Sequence, residues 1–315
     1  MENESVYDVV LDETSARERI DSAIAALCPE LSRTRVQKLI KEGLITVNGK
    51  SDFEPNEKFP AGTSVHIVDK LPVIPIKAEP ESIPLEIIYE DDEILVINKP
   101  AGMVVHPAAG NWHGTVVNAI LGRDSMPDDE DFDPMRPGIV HRLDKDTSGA
   151  LLIAKTAKSL RKLSKSFANR EVKKTYLALV HGWPTPTVNI IDQPIGRHQV
   201  DRRKMAVMKN GLGREAVTLW RVIRTGRWNN QKIAVMELHP RTGRTHQIRV
   251  HMSYCDYPLL GEKLYNRGRT STAERQMLHA RRIEFPHPVT EKPVSFEAPL
   301  PDDFRAIIDA MEEEK

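Results

Sequence analysis

Residues 141–149 read His141-Arg142-Leu143-Asp144-Lys145-Asp146-Thr147-Ser148-Gly149. Two carboxylates, a guanidinium and two hydroxyls gather there, directly ahead of the apolar run Ala150-Leu151-Leu152-Ile153-Ala154. This set suits covalent or acid–base work: a carboxylate attacks or moves a proton, and hydroxyls satisfy local backbone donors. A loop mounted on a buried strand holds such a group rigidly. Residue chemistry alone leaves both carboxylates open. Asp144 could also cap a turn and Asp146 could pair with Lys145, which is an ordinary structural explanation of the same residues.

Other constellations carry less. Gly49-Lys50-Ser51 matches the end of a phosphate-binding loop, but the glycine required five positions before Gly49 is replaced by Leu44. Asn48-Gly49 is a hairpin turn signal and explains the segment without a nucleotide. No cluster of His, Cys or carboxylates has metal-ligand spacing, so no metal and no cofactor are expected. Cys28 and Cys255 are too few and too isolated for a disulfide framework.

The elements that position these residues fall into two groups. The first spans residues 15–70. Ser15-Ala16-Arg17-Glu18 reads as a capping box for a helix with Ile20, Ile24 and Leu27 on one stripe. Ser32 caps a second helix, with Val36, Leu39 and Ile40 inward and Arg33, Lys38 and Lys41 outward. Gly43 suits its left-handed end. Short strands at 44–48 and 64–68 complete the unit. Pro72, Pro75, Pro80 and Pro84 make 71–84 a stiff linker. Beyond it, residues 85–315 carry strand signals at 94–98, 150–154, 175–180 and 233–238, and one clear amphipathic helix at 157–169. Strands and helices do not alternate regularly, which excludes a doubly wound sheet and predicts a mixed α+β domain. An acidic loop covers 124–137.

Charge is segregated. The chain of 315 residues has a formal net charge of zero. Yet residues 155–174 carry eight Lys or Arg against one acid, residues 33–50 five against one, and residues 197–214 six against one. The balancing acids lie at 2–13, 79–93, 128–131 and 312–314. A neutral molecule can therefore offer basic faces to phosphates. No apolar run approaches the roughly 18–20 residues that span a bilayer, and the acidic N-terminus does not read as a signal peptide, so a cytoplasmic protein is expected. A monomer is the default.

Residues 19–21, 32–33 and 44–50 together resemble the S4 RNA-binding module. That resemblance implies a helix pair presenting Arg33, Arg35 and Lys38 to an RNA backbone, which supplies placement rather than base readout. His141 to Gly149 resembles the signature of the large pseudouridine synthase family that includes the ribosomal large-subunit enzymes. Three further segments resemble that family's motifs in order: 90–107, the run Lys174-Thr175-Tyr176-Leu177-Ala178, and 241–251. Likeness covers essentially the whole chain. It departs at Gly261-Glu262-Lys263-Leu264-Tyr265-Asn266, where the family usually reads Gly-Asp and then Tyr-Gly, and the tail beyond Pro301 is short.

The resemblance implies a largely antiparallel catalytic sheet and an isomerase that converts uridine to pseudouridine in RNA, large-subunit ribosomal RNA or its assembly intermediates above all. It selects Asp144 as nucleophile, attacking the sugar or the base ring. Arg249 is its implied partner, offsetting the cost of a buried carboxylate through a charge-assisted pair. Tyr176 is the implied aromatic beside the base. Arg142 is a candidate for filling the space left by a flipped base or for holding its phosphate. His141 reads as a turn-stabilising hydrogen-bonder. The competing reading is a non-catalytic RNA-binding or ribosome-assembly factor.

Overall fold

The computed structural model describes residues 5–70, 77–108, 110–123, 126, 132–209 and 211–312. Residues 71–76 of the expected linker, 124–125 and 127–131 of the acidic loop, and 313–315 of the tail lie outside the described residues. The chain divides into two compact units, Met1–Pro75 and Ile76–Lys315.

The first unit comprises β1 (Ser5–Val10), α1 (Ile20–Leu27), α2 (Arg33–Lys41), β2 (Ile45–Val47) and β3 (Ser64–Asp69). Its antiparallel sheet runs β1-β3-β2. Val65 and Ile67 alternate inward along β3 and meet Ile20, Ile24, Val36 and Leu39 from the helices. Ser32 caps α2 by accepting from the Arg35 amide, and Gly43 takes φ +69° just beyond its end. Asn48 and Gly49 have φ of 47° and 76°, and Val47 and Lys50 exchange backbone hydrogen bonds around them. The hairpin accounts for Gly49-Lys50-Ser51.

Strand β1 lies ahead of residues 15–70 and pairs with β3; Val6 and Val10 stay exposed, so its sequence gives little inward-facing pattern. The capping box expected at Ser15 does not form. Ser15 begins a short 3-10 turn held by Asp12, whose carboxylate accepts from the Ser15 amide and hydroxyl at 2.7 Å each. Helix α1 starts later, after Arg19, with no side-chain cap. An acid three residues upstream outcompeted the helical cap for the same serine.

The second unit holds β4 (Glu86–Glu90), β5 (Ile94–Lys99), α3 (Val116–Leu121), β6 (Ser148–Ala154), α4 (Ala157–Ala168), β7 (Lys173–His181), β8 (Val188–Asp192), β9 (Ile195–Arg197), β10 (Met205–Val207), β11 (Val217–Trp228), β12 (Gln231–Pro240), α5 (Gln247–Tyr254), β13 (Leu278–Pro286), β14 (Pro293–Glu297) and α6 (Asp302–Asp309). A nine-stranded sheet runs β4-β5-β6-β13-β7-β12-β11-β8, with β14 added beside β13. Among its described pairs only β6–β13 is parallel, so the fold is α+β with a mixed, largely antiparallel sheet.

Both faces of the central strands are covered, which is why β5 and β6 read as unbroken apolar runs. Leu95, Ile97, Leu151 and Ile153 face a core that includes Ile248 and Met252 of α5. Ile94, Val96 and Leu152 face the stripe of α4, where Leu163 is fully buried and Leu160 and Phe167 are partly so. The segment bearing Asp144 enters the centre of this sheet at β6. Gly149, at φ +114°, passes so close to β13 that a Cβ there would lie 2.3 Å from the Ala280 carbonyl oxygen. Only glycine lets the two backbones approach that closely.

Candidate active site

A cavity of about 440 Å³ opens where the segment before β6, strand β7 and the start of α5 converge. Asp144, Tyr176 and Arg249 all line it, although they lie far apart in sequence. Arg249 donates from Nη1 to Asp144 Oδ2 at 3.1 Å. The Asp144 side chain is 18% exposed and that of Arg249 7%, so the pair sits at a cavity wall that solvent only grazes. Asp146 does not line the cavity. Of the two carboxylates that residue chemistry left open, Asp144 alone is on the cavity wall.

Arg249 is also held from behind. Its Nε and Nη2 donate to Glu262 Oε2 and Oε1 at 2.7 and 2.8 Å, a bidentate pair. The Glu262 side chain is fully buried and accepts further from the Leu264 and Tyr265 amides. Burial pushes the Glu262 pKa up, but the Arg249 hydrogen bonds and charge outweigh it and hold the carboxyl below its ordinary value. For Arg249 burial lowers the pKa, but Glu262 and then Asp144 raise it by more, so the guanidinium stays charged. Its planar fork also lies over the Tyr265 ring, 5.3 Å from the centroid.

His246 adds a third wall. It takes a left-handed φ of 56° at the N-cap of α5, and its Nδ1 lies 2.7 Å from the Tyr265 hydroxyl. That hydroxyl accepts from the Met205 amide, so its own proton points to the imidazole. Burial lowers the His246 pKa against the opposing pull of Asp144, consistent with a neutral ring that accepts. Tyr176 is buried on β7; burial, and then the Asp144 charge, raise its pKa, so it remains a neutral phenol. His141 accepts from the Leu152 amide at 3.0 Å and stacks on Phe167. Burial and the nearby Lys174 charge push its pKa down to about 3, which leaves a neutral hydrogen-bonder.

A buried lysine fixes the loop that carries Asp144. Lys99 is fully buried at the end of β5 and donates to the carbonyls of Pro100, Met103 and Lys145 at 2.7, 2.8 and 3.0 Å. All three ammonium protons are thereby used. Burial lowers the Lys99 pKa to about 7 against the pull of Asp146 and Asp144.

Arg142 is exposed, lines the cavity and has no ion-pair partner among the described residues. In the first unit, Arg33 donates to the buried Asp21 at 3.1 Å while staying half-exposed. Arg35 is clamped on Asp69 at 2.5 and 2.8 Å and is mostly covered. Lys38 projects freely from α2. Among the described residues no group of three or more His, Cys, Asp or Glu is arranged to hold a metal ion, and no helix is long and apolar enough to cross a membrane.

Sequence reasoning did not find Glu262, His246, Tyr265, Lys99 or Lys174 as site residues. Glu262 and Tyr265 did stand out in the segment departing from the family pattern, and that departure was the available signal.

Residues 93–254 match the family model for RNA pseudouridylate synthases, and residues 18–51 match that for S4 domains. The chain is 39% identical to the ribosomal large subunit pseudouridine synthase D of Xanthomonas campestris pv. campestris, over 98% of this chain and 94% of that protein. It is 41% identical to the RNA pseudouridine synthase YlyB of Bacillus subtilis, over 96% and 97% of the two chains. Among solved structures it resembles human RNA pseudouridylate synthase domain containing 1, with a TM-score of 0.56 at 25% identity, over 75% of this chain and all of the other. With motifs, fold and site geometry in agreement, the chain belongs to the RNA pseudouridine synthase family and carries an S4 domain.

Proposed function

We propose that this enzyme isomerises uridines of large-subunit ribosomal RNA, with Asp144 as nucleophile. The observation that carries the assignment of Asp144 is its place on the cavity wall, bonded by the one arm of Arg249 that Glu262 leaves over. Support for the substrate comes from relatives named as ribosomal large subunit enzymes across nearly the full chain.

The reaction breaks C1′–N1 and forms C1′–C5, loses the C5 proton and places a proton on N1, with no net redox change. Asp144 attacks the sugar or the base ring and leaves again, dividing the exchange into two steps. Arg249 holds the carboxylate at the cavity wall through a charge-assisted hydrogen bond. Tyr176 offers a flat face to the base, and its neutral hydroxyl serves as a hydrogen-bond donor. Because the target sits in structured RNA, the uridine must leave its stack at a cost of roughly a few kcal/mol. Arg142, exposed and unpaired at the cavity, fills the vacated space or holds the displaced backbone. Lys38 and Arg33 of the S4 domain contact RNA phosphates.

Mapping pseudouridines in ribosomal RNA from cells with and without the gene tests the substrate. Specific large-subunit sites should revert to uridine. Loss confined to transfer RNA or to the small subunit would refute the ribosomal large-subunit assignment.

A further inference from the structure

Lys174 lies two residues before Tyr176 on β7, so both side chains leave the same face of the strand, roughly 7 Å apart along it. Both line the cavity. The Lys174 ammonium donates once, to the Thr242 carbonyl at a long 3.3 Å, which leaves two of its three protons unused among the described residues. No carboxylate there lies within ion-pair distance of it. Burial pushes its pKa down to about 8, and no acid, Asp144 included, pulls it back. The same cavity is lined by further cations: Arg142 and Arg241 are exposed there without an ion-pair partner among the described residues, whereas Arg170 is paired with Glu215 at 2.6 Å.

A half-buried ammonium with unused donors and no counter-ion is costly unless an anion completes it. The Asp144 carboxylate on the same cavity is bonded to Arg249, and it makes no ion pair with Lys174 among the described residues. The separation between Lys174 and Tyr176 is within the reach of one nucleotide. We infer that Lys174, in a cavity that Arg241 also lines, forms a phosphodiester subsite that grips the RNA backbone next to the uridine stacked on Tyr176. The inference rests on the RNA-isomerase reading and adds a contact to it: the extruded nucleotide is held at both base and phosphate.

The test uses the full chain and a large-subunit ribosomal RNA transcript, with tritium release from uridine C5 for turnover and filter retention for binding, both across a salt series. Lys174→Met should raise KM about tenfold while kcat falls by a smaller factor. The plot of log Kd against log salt should become shallower by about 0.7–0.9, the loss of one phosphate contact. Lys174→Arg should recover most of both effects. If Lys174→Met does not fold, as judged by its melting transition, Lys174→Gln is compared with Lys174→Arg in its place. A neutral variant with the wild-type KM and salt slope overturns the inference, as does an arginine variant no better than the neutral one. If the wild type binds the transcript without releasing tritium while the Lys174 slope change persists, the proposed reaction on that RNA fails and the phosphate contact stands.

Discussion

Arg249 serves two carboxylates. Five guanidinium protons allow it to grip Glu262 with two and still give one to Asp144. Glu262 thereby fixes the plane of the fork and so the direction from which Asp144 is held. Removing it leaves a buried guanidinium short of its partner, which costs about 3–5 kcal/mol. Glu262→Ala should lose stability by that amount in urea denaturation, and kcat should fall with it. The pH dependence has a definite sign. The folded-state pKa of Glu262 is depressed, so its stabilisation is present above the ordinary value of 4.5 and is lost as pH falls through the lower folded value. Denaturation midpoints measured below about pH 4.5 should decline less steeply in Glu262→Gln than in wild type; identical slopes would contradict the assignment. At this scale the sequence showed Asp144, Tyr176 and Arg249 because each sits in a recognisable motif. Glu262 stood out only as a departure, since its partner is 13 residues away on α5 and the pairing depends on how the chain returns from that helix. Lys174 was read as part of a tyrosine motif, because nothing local says that no acid will fold up beside it.

The elements place the site by bracing one segment from two sides. Strand β6 anchors the Asp144 loop at its C-terminal end, and Lys99, from the end of β5, stitches the carbonyl of Lys145 to those of Pro100 and Met103. Replacing that ammonium leaves three carbonyls without their donor and frees the loop. Lys99→Met should lower kcat by about 10²-fold, as expected for a displacement of roughly 1 Å at a reacting group, with KM changing far less. Equal loss in kcat/KM through KM alone would show that Lys99 does not position Asp144. Strands β5, β6, β7 and β12 and helices α2 and α4 were legible from apolar runs and periodicity. The start of α1 was misread as a capping box at Ser15, because Asp12 competes for the same hydroxyl. Strand β1 was missed for a different reason: an edge strand with half its apolar residues in solvent shows no inward face.

Across the whole molecule, zero net charge conceals basic surfaces that differ in availability. Arg35 is committed to Asp69 and Arg33 shares Asp21, whereas Lys38 projects from α2 with no ion-pair partner among the described residues. Lys38→Glu should therefore weaken RNA binding at low salt and reduce the salt slope, with kcat at saturating RNA unchanged. Filter binding across a salt series checks this; an unchanged slope would remove α2 from the RNA interface. The sequence showed the basic runs but not which cations were already spoken for, since ion pairs such as Arg35–Asp69 join residues 34 positions apart.

In the proposed reaction Asp144 performs covalent chemistry on uridine in RNA. The most direct test of that role is tritium release from C5-labelled large-subunit ribosomal RNA by wild type and Asp144→Asn, with the melting transition and RNA affinity of both measured alongside. The amide keeps the shape and can still accept from Arg249, but it is no nucleophile. Asp144→Asn should bind RNA, melt cooperatively and release no tritium above background. Turnover by Asp144→Asn near the wild-type rate would contradict a nucleophilic role for Asp144.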